Sequence, residues 1–433
     1  MNKELNSSYN ILYKIYVKNS YLSVELNSAL YNLEDGINKG LITKIVYGVV
    51  EHDIALEYMI KQFVKKLPSP ETLIALKIGT YAGIFLNSIP KYTIVNELVE
   101  ITKRFDKNAS GFVNATLKNI LNNKIEFPKK EENLVEYLSV KYSYPSWLIN
   151  SFFKHFDKDT VLKLLSTKIT ELTHIRINLS EITTEKFKEL LVKNDIKYSS
   201  SLFDFCLYVD YEKLLNFKSF TKYYVVQGLP SIITALNAVH DRSSKILDVC
   251  SAPGGKAVLM ATLNPKHTVT ACDLHMHRLE LVKSYAKKYN VKNLVVTQND
   301  ATKLNEEFVN EFNSVLLDVP CSGSGVIVKK PDILINRKEE NLKELIEIQK
   351  QILEVSANYV KPGGVITYST CSILPSENEE IIKNFLSKHK EFTSVPVNTY
   401  GLEVSKSEYG VTFFPHLSKT EGFFIGRLIK NVN

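Results

Sequence analysis

The sequence KILDVCSAPGGKA at residues 245–257 decides the fold of the C-terminal part of the chain. Its apolar start predicts a short β-strand that ends in Asp248, and a glycine turn leads from there into a helical pattern. Gly254 and Gly255 let the backbone pass close to a ligand, and the helix that follows presents unpaired N–H groups. The turn matches neither GxGxxG nor GxxxxGK[ST], which argues against a pyrophosphate site or a P-loop.

Three more acidic residues follow strand-like runs further along the chain: Asp273, Asp300 and Asp318. Strand and helix patterns alternate from about residue 231, which predicts an α/β fold with a parallel sheet covered by helices on both faces. The carboxyl ends of such strands form the ligand crevice. Asp273 lies 25 residues after Asp248, near the place of the ribose-binding acid in a Rossmann-like fold. The pattern therefore indicates a cofactor with ribose and adenine but no phosphate.

Two cysteines also follow predicted strands on the crevice side, in Pro320-Cys321 and Thr370-Cys371. A thiolate is a strong nucleophile once its pKa is lowered. Its addition to C6 of a pyrimidine makes C5 electron-rich, so that C5 can attack an electrophilic methyl group. Because 50 residues separate the two cysteines, only the fold can bring them together. We interpret the pair as a candidate catalytic site, with two packed, inert thiols as the alternative.

The rest of the chain divides into regions by its patterns. Residues 1–130 predict an all-helical domain, because apolar residues repeat there at helical spacing, as in Val95, Leu98, Val99 and Thr102. Residues 131–230 predict a linker and a small α/β region, which begins near the charged, proline-led stretch at 128–133. Residues 231–433 predict the catalytic domain.

The composition of the 433 residues is that of an ordinary globular protein, with 44% apolar residues, 23% charged residues and a net charge of +7. No run reaches the roughly 18 apolar residues of a membrane span, and the N-terminus lacks the apolar region of a signal peptide. We therefore expect a cytoplasmic protein without membrane association. The five cysteines form no CxxC pair, so that we expect no metal site. The mild positive charge permits nucleic-acid binding but does not establish it.

The motifs around both cysteines and the glycine turn closely resemble those of the RNA cytosine-5 methyltransferase (NOL1/NOP2/sun) family. These motifs are DVCSAPGGKA (248–257), DVPCSGSGVI (318–327), KKPDI (329–333), STCS (369–372) and PSENEE (375–380), with EGFFIGRL (421–428) at the end. The N-terminal third is similar to the NusB-like RNA-binding domain of one branch of that family. That similarity rests on LITKIVYGVVEHD (41–53), LKIGTYAGIFLNSIPKYTIVNELVEITKR (76–104) and GFVNATLKN (111–119).

The resemblance implies a fold and a reaction. The fold is a Rossmann-like class I methyltransferase domain at the C-terminus, preceded by a small α/β region and an all-α NusB-like domain. The reaction is methylation of C5 of a cytidine in small-subunit ribosomal RNA, through a covalent cysteine adduct at C6. The cofactor is S-adenosylmethionine, and we expect a monomer.

The resemblance also assigns roles to individual residues. Cys371 is the nucleophile, Cys321 helps proton removal or product release, and Asp318 hydrogen-bonds the edge of the base. Asp273 takes the ribose hydroxyls and Asp300 lies beside the adenine. The full set expected at the cofactor comprises Cys250, Ser251, Ala252, Pro253, Gly254, Gly255, Lys256, Asp273, Asp300 and Asp318.

Several alternatives stay open at this point. Cys321 is the rival nucleophile, because DNA cytosine-5 enzymes take theirs from the proline-cysteine motif. The same chemistry on transfer RNA and a catalytically inactive RNA-binding assembly factor are the alternative functions. The chain departs from the family pattern at Gly228, where an acid is usual, and at Glu421, where Asp is common. Ser376 and Glu379 predict a capping box of purely structural importance.

Overall fold

The chain folds into two compact units, one helical and one built on sheets. The structure is a computed structural model that describes residues 2–34, 36–86, 89–168, 172–239 and 245–432. The helical unit comprises Met1–Ser166 and Ile327–Glu339, and the sheet unit comprises Thr167–Val326 and Glu340–Asn433. No helix within the described ranges is long and apolar enough to cross a bilayer.

The N-terminal part of the helical unit consists of helices, and those within residues 2–122 pack around one core. They are α1 (Asn2–Lys18), α2 (Leu22–Tyr31), α3 (Lys39–Glu51), α4 (Asp53–Lys61), α5 (Pro70–Phe85), α6 (Lys91–Phe105), α7 (Ala109–Asn122), α8 (Leu134–Tyr142), α9 (Ser146–His155) and α10 (Lys158–Ser166). α5 begins at Pro70, a residue suited to the first helical position, and Ser69 Oγ caps it by accepting from Thr72 N–H. In α6 the predicted stripe is buried at Val95 and Leu98, and the helix packs on α1, α5 and α7.

The sheet unit begins with a four-stranded antiparallel sheet in the order β2-β3-β1-β4. Its elements are β1 (Thr173–Ile177), α11 (Thr184–Lys193), β2 (Tyr198–Ser200), β3 (Cys206–Val209), α12 (Tyr211–Leu214), a 3₁₀ turn (Lys218–Tyr223) and β4 (Tyr224–Val226). Phe187 and Leu191 of α11 pack against Ile175 and Val209 of the sheet. This is the small α/β region that the sequence predicts.

A nine-stranded mixed sheet forms the remainder of the sheet unit, in the order β11-β12-β13-β9-β8-β5-β6-β7, with β10 paired to β13. Its strands are β5 (Ile246–Asp248), β6 (Val269–Asp273), β7 (Leu294–Gln298), β8 (Phe312–Asp318), β9 (Val360–Thr370), β10 (Phe392–Ser394), β11 (Ser405–Ser407), β12 (Gly410–Phe413) and β13 (Phe423–Lys430). The helical elements are α13 (Leu229–Ala238), α14 (Gly255–Leu263), α15 (Met276–Lys288), α16 (Ile333–Asn336, in the helical unit), α17 (Glu339–Ser356), α18 (Glu379–Lys388), α19 (Pro415–Ser418) and 3₁₀ turns at Glu306–Phe308 and Pro375–Glu377.

The parallel arrangement that the sequence predicts is found in β9, β8, β5, β6 and β7. Helices cover both faces, because Leu316 of β8 packs with α13 and α14 while its neighbours Val315 and Leu317 pack with α17 and α18. The alternation of strands and helices did not predict the antiparallel strands at the C-terminal edge. Nine residues join β12 to β13, too few for the crossover that a parallel pair needs.

The segment Ile327–Glu339 contains the KKPDI motif and packs with the N-terminal helices. Asp332 is buried, and its Oδ2 accepts a hydrogen bond of 3.1 Å from the N–H of Leu22, the first residue of α2. Ile335 of α16 contacts the core of the same unit. The chain therefore passes from the Cys321 loop directly into a segment that is anchored among the helices.

The predicted capping box of Ser376 and Glu379 is wrong. Pro375–Glu377 form a 3₁₀ turn, and α18 begins at Glu379 with Asn378 at its N-cap. The Glu379 side chain instead accepts a hydrogen bond of 3.1 Å from Thr412 Oγ1. The motif is thus built around a buried turn, in which Glu377 is fully buried.

Candidate active site

Four parallel strands bring their carboxyl ends to one edge of the large sheet. β5 lies between β6 and β8, so that the sheet changes winding direction there, which is the usual ligand site of an open α/β sheet. β5, β6 and β8 end in Asp248, Asp273 and Asp318. Ser369 of β9 lies in register with Asp318. The residues that the sequence singled out after each strand therefore share one edge.

The glycine turn holds its shape through backbone hydrogen bonds. Ser251 N–H donates to Cys272 O and Gly254 N–H donates to Ser251 O, each at 2.7 Å. Gly254 has φ +107°, and a Cβ there would lie 3.0 Å from the Cα of Val282. A side chain at this position would be strained by both its backbone conformation and the lack of space. The turn then enters α14 at Gly255, with its N–H groups at the crevice edge.

Asp248 and Ser251 have buried side-chain oxygen atoms beside the glycine turn. Among the described residues, the two carboxylate oxygens of Asp248 have no hydrogen-bond partner of ordinary length. The same is true of the Ser251 hydroxyl. Burial, reinforced by the charge of Asp318, raises the pKa of Asp248 to about 8, although Lys256 acts in the opposite direction. Unpaired buried acid groups fit a ligand that carries positive charge, such as the sulfonium of S-adenosylmethionine.

Asp273 and Asp300, the predicted ribose and adenine residues, are both held by neighbours. The buried Asp273 carboxylate accepts from the N–H groups of Ala252 (3.3 Å) and His275 (3.2 Å), and Arg278 Nη1 lies 3.3 Å from Oδ1. Asp300 accepts from the side chain and N–H of Thr302, which lowers its pKa. These contacts orient both carboxylates, and their contacts with a cofactor stay a prediction.

Cys250 has a different environment from the rest of the turn. Its side chain packs against the core beside β5 and β8, and burial next to Asp248 raises the pKa of its thiol well above the usual range. A buried, protonated thiol of this kind packs as a small apolar group. Cys250 can therefore meet a cofactor through its backbone.

Lys256, which the resemblance places at the cofactor, is directed toward Asp318. Its Nζ lies 2.7 Å from Asp318 Oδ2, and Ser369 Oγ donates to Asp318 Oδ1 at 2.8 Å. The ammonium group also lies 5.5 Å from the centre of the Phe423 ring. The Asp318 carboxylate is thus fixed on both oxygens. Ser369 belongs to the quoted STCS motif, but the sequence did not predict its contact with Asp318.

Cys321 and Cys371 meet at the same edge. Their sulfur atoms lie 3.1 Å apart, because Cys321 stands three residues beyond Asp318 and Cys371 two residues beyond the paired Ser369. The neighbouring Cys371 sulfur, burial and the charge of Glu377 raise the pKa of Cys321 well above its usual range. The remaining two cysteines, Cys206 and Cys272, are buried packing residues.

Arg176 supports the glycine turn from the small sheet, a contact that the sequence did not predict. This fully buried guanidinium donates from Nε to Gln227 Oε1 (2.8 Å) and from Nη2 to the carbonyl of Gly255 (3.3 Å). It also lies over the ring of Tyr289, 4.4 Å from its centre. The only signal in the sequence was an arginine inside an apolar strand.

Comparison with known proteins decides the family. A family profile described as "16S rRNA methyltransferase RsmB/F" matches residues 233–429. The probable ribosomal RNA small subunit methyltransferase B of Bacillus subtilis is 32% identical over 447 residues, which cover 98% of this chain and 95% of the relative. The chain belongs to the RsmB/F family of 16S rRNA methyltransferases. Members of this family are S-adenosylmethionine-dependent rRNA cytosine methyltransferases.

Other RsmB/F relatives and the NusB match support the same conclusion along the whole length. Ribosomal RNA small subunit methyltransferase B of Shewanella oneidensis is 27% identical and covers 97% of both chains. Residues 5–122 match the NusB family. The crystal structure of PH0851 superimposes with a TM-score of 0.86 at 25% identity and covers 98% of both chains. The predicted resemblance and fold class are therefore confirmed, whereas the limits of the three predicted regions stay a prediction.

Proposed function

We propose that this chain methylates C5 of a cytidine in small-subunit ribosomal RNA, with Cys371 as the nucleophile. The observation that carries the proposal is the meeting of two cysteine sulfurs, 3.1 Å apart, beside a fixed carboxylate and a cofactor-type glycine turn. A catalytically inactive relative would have no reason to retain this arrangement. We also propose a cytoplasmic location, because thiols stay reduced there.

The reaction is balanced with two thiols and one methyl donor. The Cys371 thiolate attacks C6 of the cytosine and forms a carbon–sulfur bond, which makes C5 electron-rich. S-adenosylmethionine, which Asp248 and Ser251 would help to hold at the glycine turn, would supply an electrophilic methyl group on its sulfonium. C5 would form a bond to that methyl carbon as the bond between the methyl carbon and the sulfonium sulfur breaks, which would leave a neutral thioether. C5 then loses its proton to a base, and the C6–sulfur bond breaks, which restores the aromatic ring and returns the Cys371 thiolate.

We assign the nucleophile to Cys371 because it belongs to the STCS motif (369–372), which carries the nucleophile in the RNA cytosine-5 methyltransferases that this chain resembles. The neighbouring Cys371 sulfur, burial and Glu377 raise the pKa of Cys321, which suits a thiol that acts as a proton donor. A protonated Cys321 can donate its hydrogen to the Cys371 sulfur and so stabilise the thiolate. The same thiol can later assist proton transfer and release of the product from Cys371.

Asp318 is suited to hold the edge of the flipped base. Lys256 and Ser369 occupy one direction of each carboxylate oxygen, and the remaining lone pairs are able to accept from a base amino group or a protonated ring nitrogen. A base must leave its helix to reach such a site, because C6 is attacked from the face of the ring. Asp248 and Ser251, with their unpaired oxygens, would hold the cofactor next to it.

The test uses RNA that contains 5-fluorocytosine, which blocks proton loss from C5 and traps the adduct. Wild-type protein with S-adenosylmethionine should form a covalent complex, and Cys371→Ala should form none. Cys321→Ala should form an adduct that is released slowly even from ordinary RNA. If Cys321→Ala abolishes the adduct and Cys371→Ala does not, the two roles are reversed.

The substrate is tested separately by bisulfite sequencing of total RNA from cells with and without the gene. Loss of one site in small-subunit ribosomal RNA supports the proposal. Loss of a transfer-RNA site instead would assign the same chemistry to another substrate. An unchanged methylation map would indicate a binding factor without activity.

A further inference from the structure

Glu377 is a fully buried carboxylate that the reaction outlined above does not use. Its Oε1 accepts from the N–H of Ser322 (2.8 Å) and from Nε2 of Gln349 (2.9 Å), and its Oε2 accepts from Ser322 Oγ (2.5 Å). Three donors on one buried carboxylate are what an ionised group requires. Ser322 follows Cys321 directly, so that both polar groups of the next residue hold on to Glu377.

The same network continues to the second cysteine. Ser322 Oγ lies 3.3 Å from the hydroxyl of Ser372, the residue after Cys371, and Ser324 Oγ lies 2.9 Å from that hydroxyl. The carbonyl of Glu377 accepts from the hydroxyl of Tyr368, two residues before Thr370 at the end of β9. Hydrogen bonds from Glu377 and its partners thus hold both cysteine-bearing loops.

Gln349 fixes the network from the side of α17. Its Nε2 donates to Glu377 and also to the carbonyl of Pro320, the residue before Cys321, at 2.8 Å. Residues on both sides of Cys321 are therefore bound, one by Gln349 and one by Glu377. These contacts hold the backbone on both sides of Cys321, and a displacement of the loop would break them.

We propose that Glu377 is a positioning residue that fixes the Cys321 loop against the Cys371 loop and so sets the separation of the two sulfurs. This proposal rests on the proposed function, since the separation matters only if both thiols act on one base. The negative charge of Glu377 has a second effect in the same direction. Together with Cys371 and burial, it raises the pKa of Cys321, which keeps that thiol protonated, and it raises the pKa of Tyr368 as well.

The first test measures the sulfur separation without any methyl transfer. Dibromobimane becomes fluorescent when it links two nearby thiols, and mass spectrometry identifies the linked pair. We expect rapid linking of Cys321 to Cys371 in the wild type and linking slowed about tenfold in Glu377→Gln, the factor that corresponds to one charge-assisted hydrogen bond of about 1.4 kcal/mol. Ser322→Ala, which keeps the N–H but removes the hydroxyl, should slow linking less.

The second test uses the pH dependence of thiol alkylation. The titratable groups around Glu377 are Cys321, Cys371 and Tyr368. Because Glu377→Gln removes a negative charge, alkylation of Cys321 should begin at lower pH than in the wild type. On ribosomal RNA the same variant should lower kcat about tenfold while KM for RNA and cofactor stays within about twofold, since it touches neither ligand.

Glu379→Gln is the matched control. It removes a carboxylate two residues away that contacts Thr412 outside the network. The proposal is overturned if Glu377→Gln and Ser322→Ala match Glu379→Gln in all three measurements. These are the rate of thiol linking, the pH dependence of Cys321 alkylation and the turnover of ribosomal RNA. If linking depends on Glu377 but the wild type methylates no ribosomal RNA, the proposed function fails and the positioning role stands. If Glu377→Gln does not fold, as judged by near-ultraviolet circular dichroism, Ser322→Ala decides.

Discussion

The ammonium group of Lys256, on the first turn of α14, lies 2.7 Å from the carboxylate of Asp318 at the end of β8. One ion pair thereby joins the glycine turn to the strand that leads into the Cys321 loop. Both side chains are largely buried, which makes the pair more than a screened surface contact. The cofactor side and the base side of the site consequently depend on the same carboxylate.

We predict that Lys256→Met lowers kcat by about one to two orders of magnitude, the range for a lost hydrogen bond to a buried charge. Asp318 would keep Ser369 as its only described partner and lose its counter-charge. Single-turnover methylation of a ribosomal RNA fragment measures the effect. Lys303→Met is the control, because the Lys303 side chain is exposed and its ion pair with Asp300 should contribute little. Equal rates for both variants would contradict the prediction.

From the raised pKa of Asp248 we predict that binding of S-adenosylmethionine is coupled to release of a proton. Because its pKa is raised to about 8, the carboxyl is mostly neutral at pH 7 and becomes charged as the pH rises through 8. A cationic ligand favours the charged form, so that affinity should increase from pH 6.5 to 8.5 and then level off. Among the charged groups nearby, Asp318 and Asp273 favour the neutral form and Lys256 the charged form.

Calorimetry in buffers of different ionisation enthalpy measures this proton release. S-adenosylhomocysteine is the control ligand, because it has the same amino-acid part but no sulfonium charge. We expect close to one additional proton released for S-adenosylmethionine at pH 7, and none in Asp248→Asn. The same proton count for both ligands would show that Asp248 does not sense the cofactor's charge.

We predict that the Asp332 carboxylate stabilises α2 locally. Tyr21 at the N-cap of α2 makes no side-chain capping bond, and the Asp332 carboxylate takes that role from a distant part of the chain. Replacement of such a cap by alanine costs about 1 kcal/mol. Amide exchange of α2 in Asp332→Ala should therefore be about fivefold faster than in the wild type, a factor that corresponds to that energy. Asp332→Asn keeps an accepting oxygen, so that its amide exchange in α2 should increase less. Unchanged exchange in both variants would contradict the capping role of Asp332.

Much of the site could be predicted because its residues follow strands of a parallel sheet. Asp248, Asp273 and Asp318 each end a strand with clear apolar patterning, and the geometry of such a sheet places strand ends together. The approach of Cys321 and Cys371 follows from the register of β8 with β9, for which the sequence contains only indirect signals. The roles of the individual residues came from the family motifs, because periodicity indicates secondary structure and not chemistry.

The supporting residues could not be predicted, because their roles depend on contacts between distant parts of the chain. In the sequence, Glu377 looks like an ordinary residue of a helix start. Its burial results from the contact of the turn at 375–377 with the cysteine loops, which the sequence pattern does not show. Arg176 and Asp332 are further examples, each joined to a residue at least 50 positions away. The antiparallel edge of the large sheet was missed for a similar reason, since strand alternation contains no signal for direction.

Gly228 and Glu421, two departures from the family pattern, are neighbours in the structure. A Cβ built on Gly228 would lie 2.8 Å from Glu421 Oε1 and 2.9 Å from its Cδ, so that the longer acid fills the space that a side chain at 228 would need. Gly228→Ala should be tolerated within about 1 kcal/mol, because the end of a flexible side chain can move aside. Gly228→Asp should cost more, because it places two carboxylates together.

A double-mutant cycle tests whether the two positions compensate for each other. Shortening the acid in Gly228→Asp/Glu421→Asp should recover most of the stability lost in Gly228→Asp, and Glu421→Asp alone should be nearly neutral. The coupling energy, measured by urea unfolding followed through the sheet unit, is expected at about 1 kcal/mol. Additive effects would mean that the two departures are independent. A positive coupling would explain why glycine at 228 and glutamate at 421 occur together in this chain.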